Sequence, residues 1–250
     1  MAAPAGIDHT WAEATGGNLD GARKRALFAP LARTVARYPG LRLRLALGRR
    51  GAGGIDLGEV RFPDTRLARD AQDTARSDLD AFLLEHSYRT YLFALALARL
   101  DAVDVDEELA FVASMLHDLD LGRPTPGRCF AVVGAQRAEE FARARDAPPE
   151  RARRIAAEIS GHVTVGGYED LRSEGGFAGA GAVCDLLGLR LDELAPEWVS
   201  DVLRTHPRDH FKRDLVAAWR AEGRAVPDGR VRWLTRYGMV PILIHIAPLP

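Results

Sequence analysis

The chain has 250 residues, enough to bury a sizeable core as one domain or as a domain with extensions. Its 34 basic and 35 acidic residues leave a formal net charge of -1, so bulk electrostatics gives no reason to expect nucleic acid or an anionic membrane as a partner. Cys129 and Cys184 lie far apart with no paired-cysteine metal spacing, the N-terminus lacks a basic segment followed by an apolar run, and the apolar stretch 239–250 is broken by Pro241 and Pro248; a soluble protein in a reducing cytoplasm is the expectation.

Residues 1–20 show no periodicity and read as a loose start, and 22–37 read as a helix interrupted by Pro30. Residues 41–47 alternate Leu with Arg or Ala, the period of a strand, and the glycine-rich 48–54 reads as a turn, so a small N-terminal hairpin is expected. Gly51-Ala52-Gly53-Gly54 lacks the Lys-Ser/Thr ending and the following helix of a phosphate loop. From Pro63 onward the pattern is helical, first over 64–76 and then over 78–100, where Leu83, His86, Tyr91, Leu92 and Leu95 crowd the apolar faces. Asp104 with Glu107 resembles a capping box, opening a core helix that ends at His117-Asp118. Further helices are predicted over 132–145, 149–160, 177–187, 196–205 and 209–222, with Pro149 and Pro196 in first turns that tolerate proline. Arg151, Arg153 and Arg154 read as a solvated helix face. The fold class expected is an all-α globule: an N-terminal extension over 1–60 packed on the core, a helical domain over 61–225 and a C-terminal tail over 226–250. The extension and the apolar tail are candidates to cover the core or to form a homo-oligomer contact.

The adjacent His117-Asp118 pair carries the most chemistry. Neutral imidazole and carboxylate are ordinary ligands of a divalent metal, and other helices must complete the shell. His86, His162 and Asp185, each in or beside an apolar run, are the candidates, and Arg89 shares a helix face with His86. Singly, His86 reads as a hydrogen-bonded core histidine, His117-Asp118 as a polar pair at a helix end and Asp185 as a cap or ion-pair partner. Together they read as a metal site, because unpaired buried polar groups are costly.

The ordered set His86, His117-Asp118, Asp185 resembles the HD-domain superfamily of metal-dependent hydrolases. Longer stretches are similar to its cyanamide hydratase-like branch: Pro63-Asp64-Thr65, His86-Ser87-Tyr88-Arg89-Thr90-Tyr91-Leu92-Phe93, Leu116-His117-Asp118-Leu119, Gly134-Ala135, His162, and His206-Pro207-Arg208 with Phe211. The similarity spans about residues 60–215. Departures from the common pattern are Asp120, where the superfamily commonly has glycine, and Glu85, where the branch often has asparagine.

The resemblance implies a metal-dependent hydrolase or hydratase (hydro-lyase) acting on a small-molecule substrate. One divalent metal ion (zinc, iron or manganese) would be held by His86, His117, Asp118 and Asp185, and no organic cofactor is expected. Dinuclear members add two histidines between the pair and the last Asp, and only His162 lies there, which implies a single ion. Asp118 would position or deprotonate water, His162 would face substrate or transfer a proton as the acid, and Arg89 would orient His86 or Asp118. Three functions stay open: hydration or hydrolysis of a small molecule; phosphohydrolysis of a nucleotide or phosphomonoester with a clamp from Arg89, Arg123, Arg128 and Arg208; and a non-catalytic metal-binding helical module.

Overall fold

Apolar periodicity becomes helix along nearly the whole chain: α1 (His9–Thr15), α2 (Gly21–Ala26), α3 (Phe28–Ala46), α4 (Arg66–Asp78), α5 (Ala81–Leu100), α6 (Glu107–Leu116), α7 (Phe130–Arg143), α8 (Pro149–Gly161), α9 (Gly176–Leu187), α10 (Pro196–Thr205), α11 (Phe211–Ala225), α12 (Arg230–Tyr237) and α13 (Val240–His245). The computed structural model describes residues 4–250, and no strand occurs among them. The architecture is all-α, as the periodicity predicts. Local chemistry sets the helix starts: Asp8 accepts the Trp11 amide at 2.7 Å and Thr65 the Ala68 amide at 3.1 Å. The α6 cap is Asp106, which accepts the Leu109 amide at 3.1 Å, so the capping residue lies two positions beyond the predicted Asp104. Pro149 and Pro196 occupy first turns, where their missing N–H costs nothing. No helix among the described residues is long and apolar enough to cross a membrane.

α5 is the central element, buried on nearly all sides from Leu83 to Ala98. Its main partner is α9, whose small residues allow a close approach: a Cβ added at Gly181 would lie 1.9 Å from the Thr90 carbonyl oxygen of α5. That contact brings Asp185, one turn further along α9, beside His86. Gly181→Val is therefore expected to force the two helices apart and to destabilise the protein by about 1–3 kcal/mol, read as a lower urea midpoint. An unchanged midpoint would show that the α5–α9 contact yields freely.

The N-terminal hairpin does not form. Residues 41–46 continue α3 and Leu47 caps it, with Leu41 buried, Leu45 packed on the core four residues later, and Leu43 and Leu47 left exposed. The alternation of leucine and arginine satisfies a helix as well as a strand, and Arg44 gains an ion pair with Asp192 at 2.6 Å only from the helical face. The glycine-rich segment is not a hairpin turn but a docking strip along 192–195. Gly51 and Gly53 donate to the Asp192 and Glu193 carbonyls at 2.7 and 3.0 Å, and a Cβ at Gly51 would meet the Glu193 oxygen at 2.0 Å. Pro30 sits in the first turn of α3 and does not interrupt it.

The chain ends also differ from expectation. The predicted loose start contains α1, and the predicted tail forms α12 and α13, with Pro241 in the first turn of α13. One apolar core runs through the assembly and draws on residues from Ile7 to Leu249.

Candidate metal centre

Three histidines reach one point from three helices. His86 lies mid-α5, while His117 and His162 are the residues that terminate α6 and α8. The two terminal histidines are anchored alike. Each ring donates from Nδ1 to the carbonyl three residues back, His117 to Ser114 at 2.7 Å and His162 to Ile159 at 2.6 Å. A carbonyl only accepts, so the proton sits on Nδ1 and Nε2 points inward. His86 is set by a different partner, its Nδ1 donating to Asp185 Oδ2 at 2.7 Å. All three rings thus turn Nε2 towards the same space.

Asp118 follows His117 into that space. Its Oδ2 stands 3.4 Å from His117 Nε2 and 3.8 Å from His86 Nε2, and its Oδ1 stands 3.7 Å from His162 Nε2. His86, His117 and Asp118 each offer a ligand atom, and these lie within 4.8 Å of one another. His117 Nε2 is buried with no hydrogen-bond partner, a costly arrangement that a cation among these donors relieves. Imidazole nitrogens with one carboxylate form a donor set that fits a divalent ion such as zinc, iron or manganese.

Electrostatics reinforces the arrangement. Burial keeps the His86 ring neutral by lowering its pKa, and burial with His117 nearby pushes His162 down to about 3. Burial also works against a charge on His117, but Asp118 beside it prevails and raises its pKa. Asp118 is held well below the usual carboxylate range because the His117, His86 and His162 rings outweigh the cost of burial. With its Nδ1–H committed to Ile159, the neutral His162 ring presents Nε2 to the same space as an acceptor.

Asp185 stands behind His86 and not among the converging atoms. Its Oδ2 accepts from His86, and its Oδ1 accepts from Arg89 Nε at 2.9 Å and from Arg208 Nη1. Arg89 also donates to the His206 and Pro207 carbonyls at 3.1 and 2.7 Å, and both guanidinium groups lie over the Phe211 ring. Arg89 is thus linked to His86 through the Asp185 carboxylate, which both of them contact. The two departures from the common pattern have partners of their own: Glu85 accepts from His206 Nδ1 at 2.8 Å, and Asp120 pairs with Arg137 at 3.0 Å.

The converging donors open onto a cavity of about 90 Å³. Leucine, valine and aromatic side chains form most of its wall, and no lysine or arginine lines it among the described residues. Arg123 and Arg128, candidates for a phosphate clamp, bind the Asp78 carbonyl and the Gln136 side chain instead. Several wall residues fell outside the sequence reading: Leu31 and Val35 from α3, Trp219 from α11, Leu234 from α12 and Leu243 from α13. Only their apolar character was visible, because their convergence on the site is a product of tertiary packing.

Residues 83–175 match the family model described as HD domain. The matched stretch contains His86, His117, Asp118 and His162 and ends before Asp185, and it supports the HD-domain superfamily. No curated protein matches the chain.

Proposed function

We propose that the protein is a metal-dependent enzyme of the cyanamide hydratase-like branch, which sets water against an electrophilic carbon of an uncharged small molecule. One observation carries this reading: three imidazole Nε2 atoms and the Asp118 carboxylate form the polar end of a pocket whose walls are apolar and free of cationic side chains. His86, His117 and Asp118 would hold the ion, with His162 beside them and Asp185 fixing the His86 ring. A divalent cation supplies Lewis acidity there and brings the pKa of water towards ~7. Asp118 Oδ1, facing His162, is placed to take the proton of the attacking water, and neutral His162 Nε2 is a second acceptor for it. In hydration of a nitrile-like group the water oxygen joins the carbon, and both water protons end on the former nitrile nitrogen, giving an amide. The apolar walls keep other water from the reacting carbon.

A phosphohydrolase needs cations facing the substrate. The four arginines that sequence offered for this are committed elsewhere, two of them to Asp185. A purely structural metal would leave the adjoining chamber without a role.

The test is turnover by the metal-loaded protein on alkyl nitriles and, separately, on phosphomonoesters, with metal content measured in the same samples. Amide formation is expected, reduced by about 10²–10⁴-fold in Asp118→Asn at equal metal content. Faster release of inorganic phosphate than of amide would overturn the assignment.

A further inference from the structure

The chamber beside the metal centre is built largely by elements outside the stretch that matches the HD domain. α3 contributes Leu31 and Val35, α11 Trp219, α12 Leu234 and α13 Leu243, and α9 adds Leu187. What matters chemically is where the polar atoms of this wall point. The Thr34 hydroxyl donates to the Pro30 carbonyl at 3.1 Å and takes the Tyr168 hydroxyl as its other partner. Trp219 Nε1 is spent on Thr235 Oγ1 at 3.0 Å, and Thr164 Oγ1 accepts from Arg230 at 2.9 Å. The wall's threonine, tyrosine and tryptophan groups thus satisfy one another or neighbours behind the surface. Polar capacity towards a ligand is concentrated at one end, in the His86, His117 and His162 rings and the Asp118 carboxylate. A charged or strongly hydrated substrate would lose its water in this chamber and gain no partner along the wall. A hydrocarbon group gains with every methylene buried.

We infer that the chamber is a specificity subsite for the hydrocarbon substituent of an uncharged substrate whose polar, reacting group lies against His117, Asp118 and His162. This rests on the reading of those residues as the reacting end. Scale follows from the volume of about 90 Å³. An apolar cavity of ~150 Å³ holds one benzene, so this smaller chamber takes a substituent of about three to four carbons. The rim agrees with this chemistry: Val35 lines the pocket while 41% exposed, and Ile242, beside the lining residue Leu243, is 58% exposed. The ends of the chain therefore carry the choice of substrate, and the matched segment carries the reacting groups.

The test is isothermal titration of the metal-loaded, full-length protein with unreactive product-like amides from acetamide to pentanamide, and with butyl phosphate. Affinity is expected to rise about fourfold per added methylene, and butyl phosphate is expected to bind more weakly than pentanamide. Val35→Asp places a short charge at the half-exposed rim and is expected to weaken pentanamide at least tenfold and acetamide by much less, with the fold checked by circular dichroism. Affinity independent of chain length, tighter binding of the phosphate, or no response to Val35→Asp would each overturn the inference. The same titration of the His117→Ala, Asp118→Ala variant separates the two readings. A chain-length gain that persists there supports the subsite whatever becomes of the metal chemistry, and its loss there would overturn a subsite built by the walls.

Discussion

The wild-type protein is expected to retain a divalent ion through purification, and the His117→Ala, Asp118→Ala double variant to lose it. Elemental analysis should fall from about one equivalent to near zero. The argument rests on the geometry of the pair: His117 Nε2 is buried without a partner, and Asp118 is the one carboxylate placed among all three Nε2 atoms. Added metal should stabilise the wild type by about 2.7 kcal/mol at a hundredfold excess over Kd, and the variant not at all. The effect should depend on pH in a definite direction. In the metal-free protein Asp118 raises the His117 pKa, so a proton competes with the cation for the inward nitrogen, and affinity falls as pH drops through that raised value. A raised histidine pKa contributes stability that is fully present below the unfolded value of about 6.5 and is lost as pH climbs through the folded value. The metal-free protein thus loses this contribution on the alkaline side, and the gain from added metal should be larger at pH 8 than at pH 6. Equal metal content in wild type and variant would place the ion elsewhere.

The site was more legible in the sequence than the chamber that serves it, for a physical reason. His117 and Asp118 are adjacent, and the backbone brings them together wherever α6 ends. His86 and His162 lie in strongly apolar runs where a polar residue needs a partner. Asp185 was visible as a buried carboxylate, but its side of the site was not, because Arg89, Arg208 and His86 all compete for its two oxygens and only packing decides the outcome. The all-α architecture follows from periodicity, whereas the alternation over 41–47 points to a strand where the chain continues α3 to Ala46. Seven residues alternating Leu and Arg fit period two, and the i, i+4 pair Leu41 and Leu45 fits a helix equally well. The short helices at both ends run for only six to eight residues, too few to set a clear period, and α13 also carries Pro241. They are stabilised by the core they cover, and no local pattern reports that.

Asp185→Ala is expected to be among the most damaging single substitutions in the molecule, at about 3–5 kcal/mol of folding stability. Asp185 is fully buried and compensates two buried guanidinium groups, those of Arg89 and Arg208, which also lie over one phenyl ring. Removing the carboxylate leaves two like charges facing each other without an anion between them, and each already has an Nη2 with no partner. The same arginines, with His86, hold the Asp185 pKa far below the ordinary value although burial opposes it. Asp185→Asn separates stability from metal binding, since it keeps the shape and removes the charge. If Asp185 acts on the ion only by holding the His86 ring, Asp185→Asn should weaken metal binding by about 10–100-fold without abolishing it. Complete loss of metal from a folded Asp185→Asn protein would make Asp185 a direct ligand, as the sequence resemblance implied. Retention of full affinity would mean that the His86 ring keeps its orientation by packing against His117 and Phe211 alone. Urea unfolding and metal titration on the two variants decide among these outcomes, and the Arg89→Met, Asp185→Leu pair measures what the buried charges contribute. Adding Arg89→Met should recover part of the stability lost in Asp185→Leu alone, because it removes one of the two guanidinium groups left unpaired and leaves only that of Arg208.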